Sequence, residues 1–349
     1  MFYINSTSEN IVLAKQLHLE NMRCYINRKI GAPNCPNNQC LICKSGIRRA
    51  NNLPKKIEEF FSDPINVEYV IAGEPEDLLL INEEFWKSIF PSYQYTNWKP
   101  FFDINNIKNS SAYISNMTST MFIYIRAVKQ IINYDWFIDI DNKYYHAYDL
   151  SKTLARNTCT YCNRVYTSTM ITRKGKRLMR PTFDHWFPKF QAPLLAMSFH
   201  NLIPSCSYCN SSIKGVTDLN LTENTHPYVD TTQLNDFSFS YMYLNNLDEY
   251  RIYIKASEFS SVKAYNTLQT LKMNEIYDTH HDELKDLIKI KTYYSDTYID
   301  QIRDLFGKKL SYDEVYRLLF GVEYDSQNFY KKPLSKFKHD ILSSLGIKK

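Results

Sequence analysis

Glycine is scarce in this chain, with 8 residues among 349. The sequence accordingly holds neither the GxGxxG loop of dinucleotide-binding folds nor the glycine-rich P-loop of ATPases. No apolar run reaches the length of a membrane span, and the first residues lack the basic start and apolar stretch of a signal peptide. These absences exclude the common nucleotide-binding loops, and they predict a cytoplasmic protein with no membrane partner.

The overall composition is that of an ordinary globular protein, with 44% hydrophobic and 23% charged residues. The formal net charge is +5. A mildly basic chain permits nucleic-acid binding, but it indicates such binding only where positive charge is concentrated locally. The length allows two domains or one large domain.

The chain divides into three regions, which together predict an α+β fold. Residues 1–150 are expected to be mostly helical, residues 151–220 hold the densest motifs, and residues 221–349 begin with two alternating runs that predict a strand pair. The predicted helices are Ser8–Lys29, Leu78–Phe90, Ser115–Trp136, a long stretch from Phe259 to Phe306, and Tyr312–Phe320; the predicted strands of the pair are Phe237–Leu244 and Tyr250–Lys255.

Cysteines occur in two groups of four. Cys159 and Cys162 form one CxxC pair, and Cys206 and Cys209 form another. Two such pairs supply the four thiolates that a structural zinc ion requires. Redox dithiols or buried free thiols are the alternative, although a redox CxxC normally occurs singly. We therefore predict a structural Zn²⁺ that ties the two ends of the 159–209 segment together.

The other four cysteines are Cys24, Cys35, Cys40 and Cys43. They include one CxxC pair but follow no established ligand spacing. A second zinc site and a set of unligated thiols both remain open.

Residues suited to phosphodiester hydrolysis lie between and beside the two CxxC pairs. Asp184 and His185 are adjacent, and a histidine next to a carboxylate can activate water while charge on the phosphate is neutralised. Successive side chains of a strand point to opposite faces, so these two can converge only at a bend or a strand end. Pro188 predicts such an end.

The order CxxC, DHxxP and NxxPxCxxCN, with a lysine four residues after the last asparagine, resembles the HNH (ββα-metal) endonuclease family. The resemblance covers Cys159 to Gly215. These motifs are similar to those of HNH nucleases of bacterial anti-phage defence, of the Septu-like and retron-associated type. The resemblance implies a small zinc-clasped ββα-metal core embedded between largely α-helical N- and C-terminal regions.

The resemblance also implies a role for each matching residue. His185 corresponds to the general base, and Asp184 corresponds to a ligand of the catalytic cation. Asn201 corresponds to the asparagine that braces the loop between the two strands and orients the base. Asn210 corresponds to the second cation ligand, and Lys214 is placed to contact the scissile phosphate. Two oxygen ligands favour Mg²⁺ or Mn²⁺. His200 is expected to be a bystander.

Positive charge is concentrated from Arg164 to Lys189, where Asp184 is the single acid. Two alternating runs, Val165–Ile171 and Leu178–Phe183, predict a hairpin with a basic tip. Such a tip could bind phosphates, or it could be simply solvated. The predicted nucleic-acid-binding residues are Arg173, Lys174, Lys176, Arg177, Arg180 and Lys189.

The leading interpretation is a metal-dependent DNA endonuclease, which the resemblance associates with bacterial defence against phage. The chain has no ATPase motif, so an energy-dependent sensor would be a separate ATPase or sensor subunit. Two alternatives stay open: an RNA-cleaving HNH toxin, and a non-catalytic, zinc-stabilised nucleic-acid-binding protein. Nothing in the sequence specifies a base sequence.

Overall fold

The computed structural model describes residues 3–33, 40–95, 119–231, 235–256, 261–293, 297–307 and 309–347. Within these ranges the protein combines helices with two-stranded antiparallel sheets, which confirms the predicted α+β class. Buried hydrophobic residues form a cluster that extends from Ile4 to Ile347 and draws on all three regions of the sequence. None of the described helices is both long and apolar enough to cross a lipid bilayer.

The N-terminal region is helical, as predicted. Its centre is α1, whose buried residues recur at helical spacing from Ile11 to Ile30, and which ends at Gly31 in a left-handed conformation (φ 77°). Helix α1 packs against α2, α3, α5 and α7. The helices of this region are α1 (Glu9–Ile30), α2 (Lys55–Ser62), α3 (Pro64–Ala72), α4 (Pro75–Ile89), α5 (Thr120–Ile131), α6 (Tyr134–Ile138) and α7 (Ala147–Leu154).

One predicted helix differs from the structure. The prediction of a single helix over Ser115–Trp136 was wrong in its described part, because α5 ends at Ile131 and α6 begins at Tyr134. Asn133 explains the break, since its side chain accepts a hydrogen bond from the backbone N–H of Trp136 and caps the new helix. Residues 115–118 lie outside the described part of the chain.

The central region contains two small hairpins and a π-helical segment. Strand β1 (Met170–Ile171) pairs with β2 (Arg177–Met179), and β3 (Thr182–His185) pairs with β4 (Leu202–Ser205). The predicted basic hairpin is therefore present but shorter than expected. Thr182 and Phe183, which were predicted to end it, belong to β3 and pair with β4. A π-helix, Tyr208–Lys214, follows directly. The register aligns Asp184 with Ile203 and His185 with Leu202.

The C-terminal region opens with the predicted strand pair, β5 (Phe237–Leu244) and β6 (Glu249–Ala256). The long helix expected from Phe259 to Phe306 was wrong. Its described part is broken into shorter helices, and Lys272, in a left-handed conformation (φ 52°), separates the first two. The helices are α8 (Val262–Thr270), α9 (Met273–Tyr277), α10 (His281–Tyr293), α11 (Tyr298–Leu305), α12 (Tyr312–Phe320) and α13 (Ser335–Ser344).

The C-terminal segment is bound directly to the first CxxC turn. The side-chain amide of Asn163 donates to the carbonyls of Phe329 (2.9 Å) and Lys332 (3.2 Å), and its oxygen accepts from the N–H of Ser335 (3.0 Å). Tyr277 adds a hydrogen bond from its hydroxyl to the carbonyl of Cys162 (2.5 Å). The central region is therefore supported by residues more than a hundred positions further along the chain.

Candidate functional site

The four central cysteines converge as predicted. Their sulfur atoms all lie within 4.8 Å of one another, and all four residues are buried. Cys159 and Cys162 lie in the turn that follows α7, Cys206 follows β4, and Cys209 lies in the π-helix. Sulfurs around a tetrahedral zinc ion are about 3.8 Å apart, given Zn–S bonds of about 2.3 Å. This cluster, which we call the zinc clasp, could hold a metal of the zinc type.

A second cluster joins α1 to a distant turn. Cys24 on α1 lies with Cys40 and Cys43, and the three sulfurs are again within 4.8 Å of one another. Cys35 lies outside the described residues. Three thiols from two segments could also hold a zinc-type metal, so the irregular spacing of this group in the sequence does not prevent convergence.

Asp184 is enclosed on the clasp side of β3. Its carboxylate accepts a hydrogen bond from the hydroxyl of Tyr161, which lies between the first two clasp cysteines, and forms an ion pair with Lys214 (3.2 Å). Only 2% of the surface of Asp184 is exposed. Burial raises the pKa of the Asp184 carboxyl, and the nearby Lys214 ammonium and the Tyr161 hydroxyl oppose that shift.

Lys214 does not lie where a phosphate contact requires it. It is buried, and its ammonium donates to the carbonyl of His185 (2.9 Å) as well as pairing with Asp184. In this arrangement the ammonium is held inside the protein, and the predicted contact with the scissile phosphate would require it to leave these partners. The reason is that a buried carboxylate needs a compensating charge, and Lys214 supplies it.

The same pairing bears on the predicted catalytic cation. Asn210 is half-buried in the π-helix, where its backbone N–H and carbonyl are bonded to Cys206 and Gly215. The Asp184 carboxylate, the expected first ligand, is already neutralised by the Lys214 ammonium. The donor set as arranged therefore does not fit Mg²⁺ or Mn²⁺ unless Lys214 moves, since a divalent cation needs oxygen ligands with available charge.

His185 points to the other face of β3, as strand alternation requires. Its Nε2 lies 2.9 Å from the carbonyl oxygen of Ala196, and its ring meets the ring of Tyr134 edge-on at 4.5 Å between centroids. Burial lowers the pKa of His185 to about 3. The ring is therefore neutral at pH 7, with Nε2–H donating to Ala196 and Nδ1 left as a proton acceptor. The residue retains 9% exposure.

Asn201 braces the loop between β3 and β4, which is the role expected of it. Its side-chain oxygen accepts from the N–H of Phe187 (2.7 Å), and its amide donates to the carbonyls of Phe187 (3.1 Å) and Leu195 (2.9 Å). Leu195 precedes Ala196, whose carbonyl fixes His185. Asn201 thus positions the imidazole through the loop and does not touch it directly.

His200 is a bonded core residue, in line with its expected bystander role. Its Nδ1 lies 2.7 Å from the carbonyl oxygen of Gly73, and only 1% of its surface is exposed. It also lies 3.6 Å from the Glu74 carboxylate and edge-on to the Tyr228 ring, so it contacts both the turn between α3 and α4 and the start of the C-terminal region.

A cavity of about 210 Å³ adjoins the residues that hold the His185 imidazole, and His185 itself does not line it. Its walls include Tyr134 and Ala196, the two residues that contact the imidazole, together with Lys129 and Lys189. Lys189 lies 5.0 Å from the centroid of the Tyr134 ring. Burial and then the positive charge of Lys189 lower the pKa of Lys129, while Asp135 opposes the shift. Asp135 lines the same cavity, so two lysines face one carboxylate there, and the remaining positive charge favours an anionic occupant.

The basic hairpin divides the predicted nucleic-acid-binding residues into two groups. Arg173, Lys174 and Lys176 are exposed at the tip, where Gly175 adopts a positive φ of 81°. Arg177 and Arg180 are not at the tip. Arg177 donates to the carbonyls of Ile140 (2.7 Å) and Asn142 (2.8 Å), and the half-buried Arg180 lies over the Tyr148 ring at 5.7 Å. These two arginines attach the hairpin to the rest of the protein.

Sequence reasoning missed three residues of the site: Tyr161, Tyr134 and Lys129. Tyr161 could have been found from the sequence, because a residue inside a CxxC turn must lie near the cysteine cluster and near the side chains that pack against that cluster. Tyr134 and Lys129 come from the helical N-terminal region, and no local pattern connects them with His185.

Comparison of the chain with protein-family models, with curated proteins and with solved structures finds no match.

Proposed function

We propose that this protein is an endonuclease of the HNH type that hydrolyses phosphodiester bonds of DNA. The observation that carries the proposal is the state of His185: a neutral imidazole at the end of β3, fixed through Nε2, beside a lysine-lined cavity. A strand pair followed by a helical segment and closed by four thiols surrounds it. This is the order of elements that the sequence resemblance implies.

In this proposal Nδ1 of His185 accepts a proton from water as the water oxygen bonds to phosphorus and the bond to the leaving oxygen breaks. A phosphodiester anion in the cavity would raise the pKa of His185 from its low value, because negative charge favours the imidazolium form. Lys129 and Lys189 would neutralise charge that develops on the phosphorane. Asn201 is a positioning residue, since it acts through the loop that holds Ala196.

The proposal includes Mg²⁺ or Mn²⁺ held by Asp184 and Asn210. Asp184 and His185 lie on opposite sides of β3, so such an ion, when bound, would neutralise charge on the phosphate and stabilise the leaving oxygen only after a rearrangement that brings the two sides together. Its binding requires the Lys214 ammonium to leave the Asp184 carboxylate, because the carboxylate in its present contacts is already compensated. Removing the lysine charge should therefore strengthen cation binding.

We further propose a role in bacterial defence against phage, alongside a separate ATPase or sensor subunit. The defence role rests on the sequence resemblance alone. The separate subunit is included because the sequence holds no ATPase motif, so any energy-dependent sensor would have to be another chain.

The Asp184 carboxylate is buried and paired with Lys214, which favours a second candidate function. This candidate is a zinc-stabilised nucleic-acid-binding protein without catalysis. Such a protein would use the exposed hairpin tip to contact phosphates and would need no free carboxylate. An RNA-cleaving enzyme would use the same groups as the DNA endonuclease.

The deciding experiment is nicking of supercoiled plasmid by purified protein with Mg²⁺ or Mn²⁺, compared with His185→Ala. We expect His185→Ala to lower the rate by about 10²- to 10⁴-fold, which is the usual contribution of a general base. His281→Ala is the matched control, since His281 begins α10, lies near Asp278 and does not line the cavity that adjoins the residues holding His185.

Full activity of His185→Ala would refute the assigned base. Binding of DNA without cleavage by the wild type would favour the second candidate, and preferential cleavage of a matched RNA would change the substrate.

A further inference from the structure

Three lysine or arginine residues are buried in the described part of the chain: Arg156, Lys214 and Lys336. Lys214 pairs with Asp184 at 3.2 Å, and Lys336 pairs with Asp340 at 2.9 Å. Arg156 has no carboxylate partner among the described residues. An uncompensated buried cation is costly to maintain, so its environment invites a compensating anion.

The contacts of Arg156 leave most of its donors unused. One terminal nitrogen is 3.4 Å from the carbonyl oxygen of Tyr3, and the guanidinium lies over the Tyr330 ring at 4.2 Å from its centroid. Its Nε has no hydrogen-bond partner and is shielded from solvent. Burial lowers the pKa of Arg156 to about 10, so the group stays charged at neutral pH. A guanidinium presents five N–H donors, and here one long bond is made.

Arg156 lines a cavity of about 380 Å³. None of the described residues in its walls is acidic, and side-chain amides are frequent there. The amide-bearing residues are Asn5, Asn10, Asn235, Gln327 and Asn328. The first turn of α1, which is 22 residues long, also faces this cavity through Ser8 and Ile11. A helix N-terminus favours negative charge, part of which Glu9 in the first turn already supplies. The buried guanidinium provides an independent reason for an anion.

We propose that this cavity is a binding site for a small anionic ligand, whose phosphate or carboxylate group pairs with Arg156 while the wall amides bond its polar groups. A guanidinium matches both oxyanions in bidentate geometry. The site is separate from the zinc clasp and from His185, and it does not depend on the proposed nuclease activity.

The test measures thermal unfolding of the full chain with increasing inorganic phosphate or succinate, at constant ionic strength maintained with chloride. We expect one of the two anions to raise Tm saturably, by about 3 °C at a concentration near 100 times Kd. The phosphate and succinate arms distinguish a phosphate-bearing ligand from a carboxylate-bearing one.

Two variants localise the effect. Arg156→Gln should abolish the shift, whereas Arg173→Gln should keep it, since Arg173 is an exposed guanidinium at the hairpin tip. Without ligand, Arg156→Gln should be at least as stable as the wild type, because it removes a buried unpaired charge. If Arg156 had a purely structural role, Arg156→Gln would be less stable than the wild type.

Asn5→Asp keeps the proposal testable should Arg156→Gln fail to fold. The Asn5 side-chain oxygen accepts from the N–H (3.1 Å) and hydroxyl (2.8 Å) of Thr7, and a carboxylate can do the same. The added negative charge in the cavity wall should weaken anion binding at least tenfold. The proposal is overturned if neither anion shifts Tm beyond the chloride control, or if the shift survives in Asn5→Asp and Arg156→Gln.

Discussion

The two sides of strand β3 hold adjacent residues in opposite states. On the clasp side, Asp184 is bonded to Tyr161 and paired with Lys214, so its charge is compensated inside the protein. On the other side, His185 is fixed through one nitrogen only and adjoins a cavity with two lysines. An aspartate and a histidine that are adjacent in a sequence therefore need not form one catalytic unit, because alternation along the strand separates their side chains.

Loss of the zinc clasp should have the largest effect, because the clasp holds Tyr161 and the π-helix against Asp184. Structural zinc in small domains contributes about 10–16 kcal/mol of apparent binding free energy. We expect Cys206→Ser to lose this metal and to lower Tm by more than about 10 °C. Metal analysis and calorimetry measure both effects.

Cys43→Ser is the matched variant at the second cluster. It should leave the clasp metal bound, and a second zinc equivalent in the wild type that is absent from this variant would assign that cluster as a metal site. A wild-type protein purified without any zinc, yet fully folded, would contradict the clasp.

Breaking the ion pair on the clasp side comes next. Lys214→Met leaves a buried carboxylate uncompensated, so we expect the free energy of unfolding to fall by about 3–5 kcal/mol. Lys336→Met removes a similar buried pair with Asp340 and is the matched control. Both should destabilise in urea titrations, but only Lys214→Met should bind Mg²⁺ more tightly, as measured by calorimetric titration. Equal Mg²⁺ affinity in the two variants would remove Asp184 as a cation ligand.

Lowering the pH should change the contributions of His185 and Asp184 to the free energy of unfolding in opposite directions. The pKa of His185 is about 3 in the folded protein and near 6.5 when unfolded, so the unfolded state binds more protons between these values. Its stabilising contribution is complete above pH 6.5 and is lost as the pH falls toward 3, by on the order of 3–5 kcal/mol. Asp184, whose pKa is raised, instead favours the folded state as its carboxyl protonates.

Urea unfolding from pH 7.5 to 4.5 checks this dependence. His185→Gln should flatten the fall in stability and Asp184→Asn should steepen it, since each variant removes one of the two opposing contributions. If the free energy of unfolding depended on pH in both variants as it does in the wild type, the environments assigned to His185 and Asp184 would be contradicted.

The smallest effect is expected at the hairpin tip. Replacing Arg173, Lys174 and Lys176 by Gln should weaken DNA binding uniformly across base sequences. The slope of log affinity against log salt should fall by about 0.9 for each phosphate that the variant no longer neutralises. Fluorescence anisotropy at several salt concentrations measures this slope. Arg177→Gln is the contrasting variant, because its guanidinium bonds the carbonyls of Ile140 and Asn142 and its removal should lower stability instead.

Much of the local structure was predictable. Helix α1, the strand pair β5–β6 and helix α12 follow hydrophobic periodicity closely, and the clasp follows from two CxxC pairs. Helix breaks were less predictable. Lys272 interrupts a helical pattern at a residue with ordinary helix propensity, because Leu271 and Met273 on either side of it are buried in the core.

Within the candidate site, the role of Asn201 was predictable but the partner of Asp184 was not. Lys214 was known to lie one helical turn beyond Asn210, yet its direction depends on a π-helix and on the cost of burying the Asp184 carboxylate. Tyr134 contacts His185, and Lys129 lines the adjoining cavity, although both come from a helical region that is separate in the sequence.

Ligand type and CxxC spacing are local properties, so the four thiols, and the side chains that they gather, could be recognised from the sequence. Which buried charges are paired became visible in the folded protein. Lys336 pairs with Asp340 four residues along the same helix, which the sequence spacing allows, whereas Lys214 found its carboxylate on a separate strand and Arg156 found none among the described residues. Charge compensation depends on burial and on distances between separate segments, and these are set when the whole chain packs.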